Sequence, residues 1–75
     1  MVRLPRVSGE DAIIALNQLG FRVTRQRGSH VVLRKDTGSG AVGCSVPMHR
    51  ELALGTLRGI LRQAGVSLDE FVNSL

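Results

Sequence analysis

His30 follows a glycine–serine pair and stands between two basic segments. The stretch RVTRQRGSHVVLRK, Arg22 to Lys35, carries five basic residues and no acidic one. Imidazole is the side chain whose ordinary pKa, about 6.5, lies closest to neutrality, so it can take up or release a proton there. RNA brings its own nucleophile, the ribose 2′-hydroxyl. A histidine that removes that proton while arginines hold the phosphate would cleave RNA without a metal. Gly28 would let the backbone approach a phosphate closely, and the amide or hydroxyl of Ser29 could bond to it. Arg25, Arg27 and Arg34 are the expected phosphate contacts, with Arg58 and Arg62 as weaker ones. On spacing alone the catalytic signal is weak, and a packing histidine or a plain phosphate contact is the favoured reading of His30.

The other chemistry-bearing residues form no recognisable constellation. His49 follows Pro47 and Met48 in a connector, where a histidine commonly caps a helix or bonds a backbone carbonyl. His30, His49 and the single cysteine, Cys44, lack the close pairing of a zinc site. Glu10, Asp11, Glu51, Asp69 and Glu70 fall near expected helix starts, where negative charge complements the helix dipole. Asp36 falls in an expected turn. No metal or other cofactor is expected, and no nucleotide-loop or nucleophile-elbow motif is present.

These residues belong to a chain of 75 residues with a formal net charge of +4, and nine of its ten cations are arginine. That length makes one domain, 1–75, with a modest core. Arginine favours bidentate phosphate contact, so a nucleic-acid partner is expected ahead of a merely solvated face. One cysteine cannot make an internal disulfide. No apolar run approaches the roughly 20 residues of a membrane span, and Met1 to Arg6 lacks a signal-peptide core. A reduced cytoplasmic location is the expectation.

The elements that position these residues follow from periodicity. Ser8 and Asp11 form a capping-box variant ahead of Ala12, Ile13, Leu16 and Leu19, which predicts a helix over about 9–19. Ile14 falls on the opposite side, as an ordinary exposed residue or part of a partner interface. Residues 21–27 alternate as a half-buried strand should, and Gly28-Ser29 is a turn signal. Residues 30–35 form the second strand, with Val31 and Leu33 on one face and His30, Val32 and Arg34 on the other. Residues 36–40 read as a second turn. Residues 41–46 read as a third strand with Val42, Cys44 and Val46 on one face, ended by Pro47. Cys44 is expected as a small core residue. Leu54, Leu57, Ile60, Leu61 and Ala64 mark a second helix closed by Gly65, with Arg58 and Arg62 on its polar side. Ser67 and Glu70 form a capping box for a short last helix carrying Leu68, Phe71, Val72 and Leu75. Helix, three antiparallel strands and helices make a two-layer α+β fold with one sheet face open.

The run LPRVSGEDAIIALNQLGFRVTRQRGSHVVLR, followed by VPMHRELALGTLRGILRQAGVSLDEF, resembles the HicA-type toxin family of bacterial toxin–antitoxin modules. The likeness extends from about Arg3 to Phe71. It rests on the order of blocks: a helix ending Leu-Gly-Phe, then Gly-Ser-His, then Val-Pro-x-His, then Gly-Thr-Leu-Arg-x-Ile-Leu-Arg-Gln-Ala-Gly. The resemblance implies a double-stranded-RNA-binding-domain-like α-β-β-β-α fold, in agreement with the periodicity. It implies an mRNA-cleaving toxin held inactive by a cognate HicB-type antitoxin, and it makes His30 the catalytic residue, with Gly28 and Ser29 in the same motif. Val46, Pro47, Met48 and His49 match a second motif, to which no catalytic role is carried. The connection KDTGSGAVGCS departs from relatives, which often have a shorter and more basic turn there.

The expectation is therefore a small metal-independent ribonuclease toxin, with mRNA and an antitoxin as partners and no membrane. Two rival readings use the same residues. One is a non-catalytic module that blocks RNA by occupancy, with affinity falling steeply in salt. The other is an interaction protein whose cationic face docks an acidic partner.

Overall fold

The computed structural model describes residues 6–75, so the Arg3–Pro5 part of the resemblance, and residues 1–5 of the amino-terminal reading, lie outside the described residues. The element order is α1 (Gly9–Gln18), β1 (Arg22–Arg27), β2 (His30–Thr37), β3 (Gly40–Pro47), α2 (Leu54–Ala64) and α3 (Leu68–Asn73). The three strands form one antiparallel sheet in the order β1-β2-β3. This is the expected α+β arrangement, like that of a double-stranded-RNA-binding domain. Among the described residues, no helix is long and apolar enough to cross a membrane.

Helices α1 and α3 begin on side-chain caps, whereas α2 begins at Ala53 with no side-chain cap and is closed by a glycine. The Ser8 hydroxyl accepts from the Asp11 amide at 3.0 Å, and the Asp11 carboxylate accepts from the Ser8 amide at 3.3 Å. Ser67 and Glu70 repeat this reciprocal pairing at the start of α3, each bond 3.1 Å. Such a box satisfies donors that the first turn leaves without partners. Helix α2 ends at Gly65, whose φ of 69° suits a residue without a Cβ. Leu57, Ile60, Leu61 and Ala64 are buried along one stripe of α2. Leu54, expected on that stripe, is instead 52 % exposed, because the first turn of α2 extends past the core.

The core lies between the helices and one face of the sheet. Val31 and Leu33 of β2 join Cys44 and Val46 of β3, and α2 packs chiefly over β3. Phe71, Leu16, Leu33 and Val46 are the largest fully buried side chains. Burial pushes the Cys44 thiol up to about 11, so at neutral pH it is protonated and unreactive. A thiol-specific disulfide reagent at pH 8 should therefore label Cys44 slowly in the folded protein and fast in denaturant. Immediate stoichiometric labelling of the folded protein would contradict this placement.

Two strand expectations need correction. Strand β1 is not half-buried: every residue from Arg22 to Arg27 is exposed, and Val23 is 48 % exposed. It is an edge strand reaching beyond the helical cover, which sits over β3. Only Phe21, just before the strand, is buried, with the Lys35 ammonium 5.8 Å from its ring centre. The second turn is also shorter than 36–40. Strands β2 and β3 pair as far as Thr37 and Gly40, leaving a two-residue connection, Gly38-Ser39. Asp36 accordingly lies in β2, opposite Ala41, and the glycine-rich stretch KDTGSGAVGCS is mostly strand.

Candidate active site on the open sheet face

The site begins at the first hairpin. Arg27 and His30 are directly paired across the Gly28-Ser29 turn. Opposed residues in an antiparallel pair hold their Cβ atoms roughly 4.5–5.5 Å apart, so guanidinium and imidazole can reach one phosphate. Gly28 has φ 55°, a left-handed conformation that other residues adopt at a cost, and the space around it is open. Its carbonyl accepts from Gln26 Nε2 at 3.1 Å. The Ser29 carbonyl accepts from the Met48 amide at 2.6 Å, which ties the turn to the end of β3.

Pairing register decides which side chains accompany His30. On β2, Val31 and Leu33 are buried while His30 and Arg34 are exposed, so His30, Val32 and Arg34 face away from the helices. Their partners on β1 are Arg27, Arg25 and Arg22. Strict alternation would put Arg22 on the opposite face from Arg25 and Arg27. The register shift between Val23 and Arg25 inserts Thr24 as an extra residue and brings all three arginines to one face. The Thr24 hydroxyl donates to the Val32 carbonyl at 3.3 Å, pinning the bulge. On β3 the same face carries Ala41, Gly43, Ser45 and Pro47.

The open face thus has a basic half, on β1 and β2, and a half of small uncharged residues, on β3. Asp36 is the acidic residue on this face. Its carboxylate accepts from Arg22 Nη1 at 3.1 Å and from Arg34 Nε at 3.3 Å. The Arg22 guanidinium, through its hydrogen bond and its charge, and secondarily Arg34, hold the Asp36 carboxyl below its ordinary value. A lowered carboxylate pKa stabilises the fold at pH values above the unfolded-state pKa of about 3.9, and this contribution disappears as the pH falls through the folded-state value. A carboxyl NMR titration should show the Asp36 midpoint rising more in Arg22→Ala than in Arg34→Ala. The reverse ranking would show that the Arg34 bond dominates.

The expected site residues divide into two groups. His30, Arg25, Arg27 and Arg34 share the open face, with Gly28 and Ser29 at its edge. Arg58 and Arg62 do not join them. Both are exposed on α2, whose buried stripe faces β3, so they lie on the outer side of the helical layer. Sequence reasoning missed Arg22 and Asp36. The spacing of Arg34 and Asp36, two residues apart on a strand, was the available signal for Asp36. Arg22 gave none, because a bulge cannot be read from alternation.

His49 acts through its backbone. Its carbonyl accepts from the amide of Gly9, the first residue of α1, at 2.9 Å. A Cβ on Gly9 would collide with the Pro47 carbonyl oxygen, so α1 is seated closely against the segment that pairs with His30. The exposed His49 side chain borders a separate depression with Ser8, Glu10 and Arg50. Ile14 is 52 % exposed and, with Leu75, borders another on the helical side. Among the described residues no three metal-ligating side chains converge.

Among curated proteins, none matches the chain. Residues 9–66 match the family described as HicA toxin of bacterial toxin-antitoxin, a span covering most of the 75 residues, and the chain belongs to that family.

Proposed function

We propose that this member of the HicA toxin family is a metal-independent endoribonuclease that cleaves mRNA and so arrests translation and growth. The observation that carries the reading is the position of His30. It stands exposed at the mouth of a hairpin, opposite Arg27 and on a face with three further arginines. The family motif Gly-Ser-His falls on Gly28, Ser29 and His30.

In the proposed reaction the 2′-oxygen attacks the adjacent phosphorus and the bond to the 5′-oxygen breaks, leaving a 2′,3′-cyclic phosphate. His30 takes the 2′-hydroxyl proton or gives a proton to the leaving oxygen. Arg25 and Arg27 have no carboxylate partner among the described residues and take the phosphate charge. Arg34 is held by Asp36 through Nε and keeps its terminal nitrogens for the substrate. Because the nucleophile belongs to the substrate, the chemistry needs no metal-bound water.

Membership of the family implies a cognate antitoxin. We place a HicB-type antitoxin over the basic sheet face or His30, where an acidic segment would compete with RNA by charge complementarity. Crosslinks confined to the helical face would argue against direct occlusion.

Incubating one defined RNA with the purified protein, with and without a chelator, tests the activity. Products ending in cyclic phosphate, unaffected by chelator and blocked by a 2′-deoxy substitution at the cut, are expected. Intact RNA after long incubation at high protein concentration would instead support inhibition by occupancy.

A further inference from the structure

The open face holds a second feature beside His30. Val32 and Gly43 form the floor of a depression of about 530 Å³ that crosses all three strands, bordered by Thr24, Arg25, Arg34 and Ala41. It is shallow and widely open to solvent, so it offers a surface for one face of a flat ring. The depression exists because β3 presents only small residues on this face. Gly43 contributes no side chain at all, and a Cβ there would come within 3.2 Å of the Leu33 carbonyl oxygen.

We propose that this depression is a subsite for one unpaired nucleobase, and that the protein therefore takes single-stranded RNA across its open sheet face. The inference rests on the ribonuclease reading above and specifies the substrate form. Val32 lies two residues from His30, roughly 6.6 Å at about 3.3 Å per residue, so the floor serves the nucleotide next to the scissile phosphate. Val32 offers an apolar surface to a base face, and Gly43 lets the base approach the backbone. The guanidinium of Arg34, held by Asp36 at 3.3 Å and with no partner at its terminal nitrogens among the described residues, supplies a positioned plane for stacking or bonding to the base edge. Arg25 on the other rim meets the phosphate. With no tryptophan or tyrosine in the chain and both phenylalanines buried, the planar groups on this face are the His30 imidazole, assigned to the chemistry, and the arginine guanidiniums.

A duplex would not use this site. Its bases stay stacked and paired, so an exposed sheet reaches phosphates and groove edges and the depression stays empty. Single strands present splayed bases with accessible faces, which suits a basic groove with a stacking surface.

The test compares a short single-stranded RNA with a hairpin duplex of equal length, in the non-cleaving His30→Ala background. Fluorescence anisotropy at fixed salt gives the affinities. The single strand should bind at least 10-fold more tightly than the duplex. Gly43→Leu, which fills the floor, should weaken single-strand binding at least 10-fold and leave duplex binding within 2-fold. Ala41→Leu, at an exposed strand position, provides a second filling variant should Gly43→Leu fail to fold. Equal affinity for both RNAs, or filled variants that bind the single strand normally, would overturn the subsite while leaving the ribonuclease reading intact. No binding of either RNA, together with no cleavage by the unsubstituted protein, would overturn both.

Discussion

His30→Ala is expected to lower RNA cleavage by about 10²–10⁴-fold, the usual contribution of a positioned acid or base. The fold should survive, because His30 is exposed and its imidazole makes no hydrogen bond among the described residues. The backbone pairing with Arg27 and Pro47 is indifferent to the side chain. Binding should also survive, since in the proposed mechanism the phosphate charge is met by arginines that remain. The decisive pattern is a fall in kcat with little change in affinity or thermal midpoint. Growth inhibition in cells should disappear with the cleavage. A variant with full activity would remove His30 from the mechanism, and a variant that loses binding and cleavage in proportion would make it a phosphate contact. Arg27→Ala offers the contrast, because loss of a phosphate contact weakens binding and flattens its salt dependence.

Phe71→Ala should have the largest effect on stability, a loss of about 3–5 kcal/mol. Phe71 is fully buried and is the one buried residue of α3, a helix of six residues. Six residues are too few to hold a helix without tertiary contacts. Removing the ring both leaves a cavity and releases the carboxy-terminal segment. Domains are stable by roughly 0.05–0.15 kcal/mol per residue, which gives a chain of this length about 4–11 kcal/mol in total. The loss is thus a large fraction of the whole, and the thermal midpoint should fall by more than about 12 °C. Denaturant melts followed by circular dichroism measure it. Activity per folded molecule should be retained, because no α3 residue shares the open face. A midpoint shift of only a few degrees would mean that α3 adds little to the core.

Much of this architecture was legible because short-range chemistry writes it. Both capping boxes, the Gly65 helix end, the Gly28-Ser29 turn and the alternation of Val31 and Leu33 with His30 and Arg34 are local signals. Each depends on residues a few positions apart, and each appears where the chain predicts it. Strand β1 was misread for a physical reason. Its alternation is that of a half-buried strand, but burial depends on whether a helix lies over it, and the helices lie over β3. The turn at 36–40 was misread because Asp, Thr, Gly and Ser favour turns, whereas long-range pairing with β3 extended the strand through Asp36 and Thr37.

The sequence by itself determined the kind of protein: a small arginine-rich α+β domain carrying a Gly-Ser-His block. It also placed Arg25, Arg27, Arg34 and His30 within one short stretch. Alternation along β2 already put Arg34 with His30, and only the tertiary structure decided which arginines of β1 share that surface. The one-residue bulge at Thr24 shifts β1 register, and in a strand a shift of one residue moves every later side chain to the other face. That shift gathers Arg22, Arg25 and Arg27 beside His30 and lets Asp36 bridge Arg22 and Arg34, while the packing of α2 on β3 leaves Arg58 and Arg62 on the far layer. Register and layer are set by contacts between distant segments, so no spacing along the chain could have specified them.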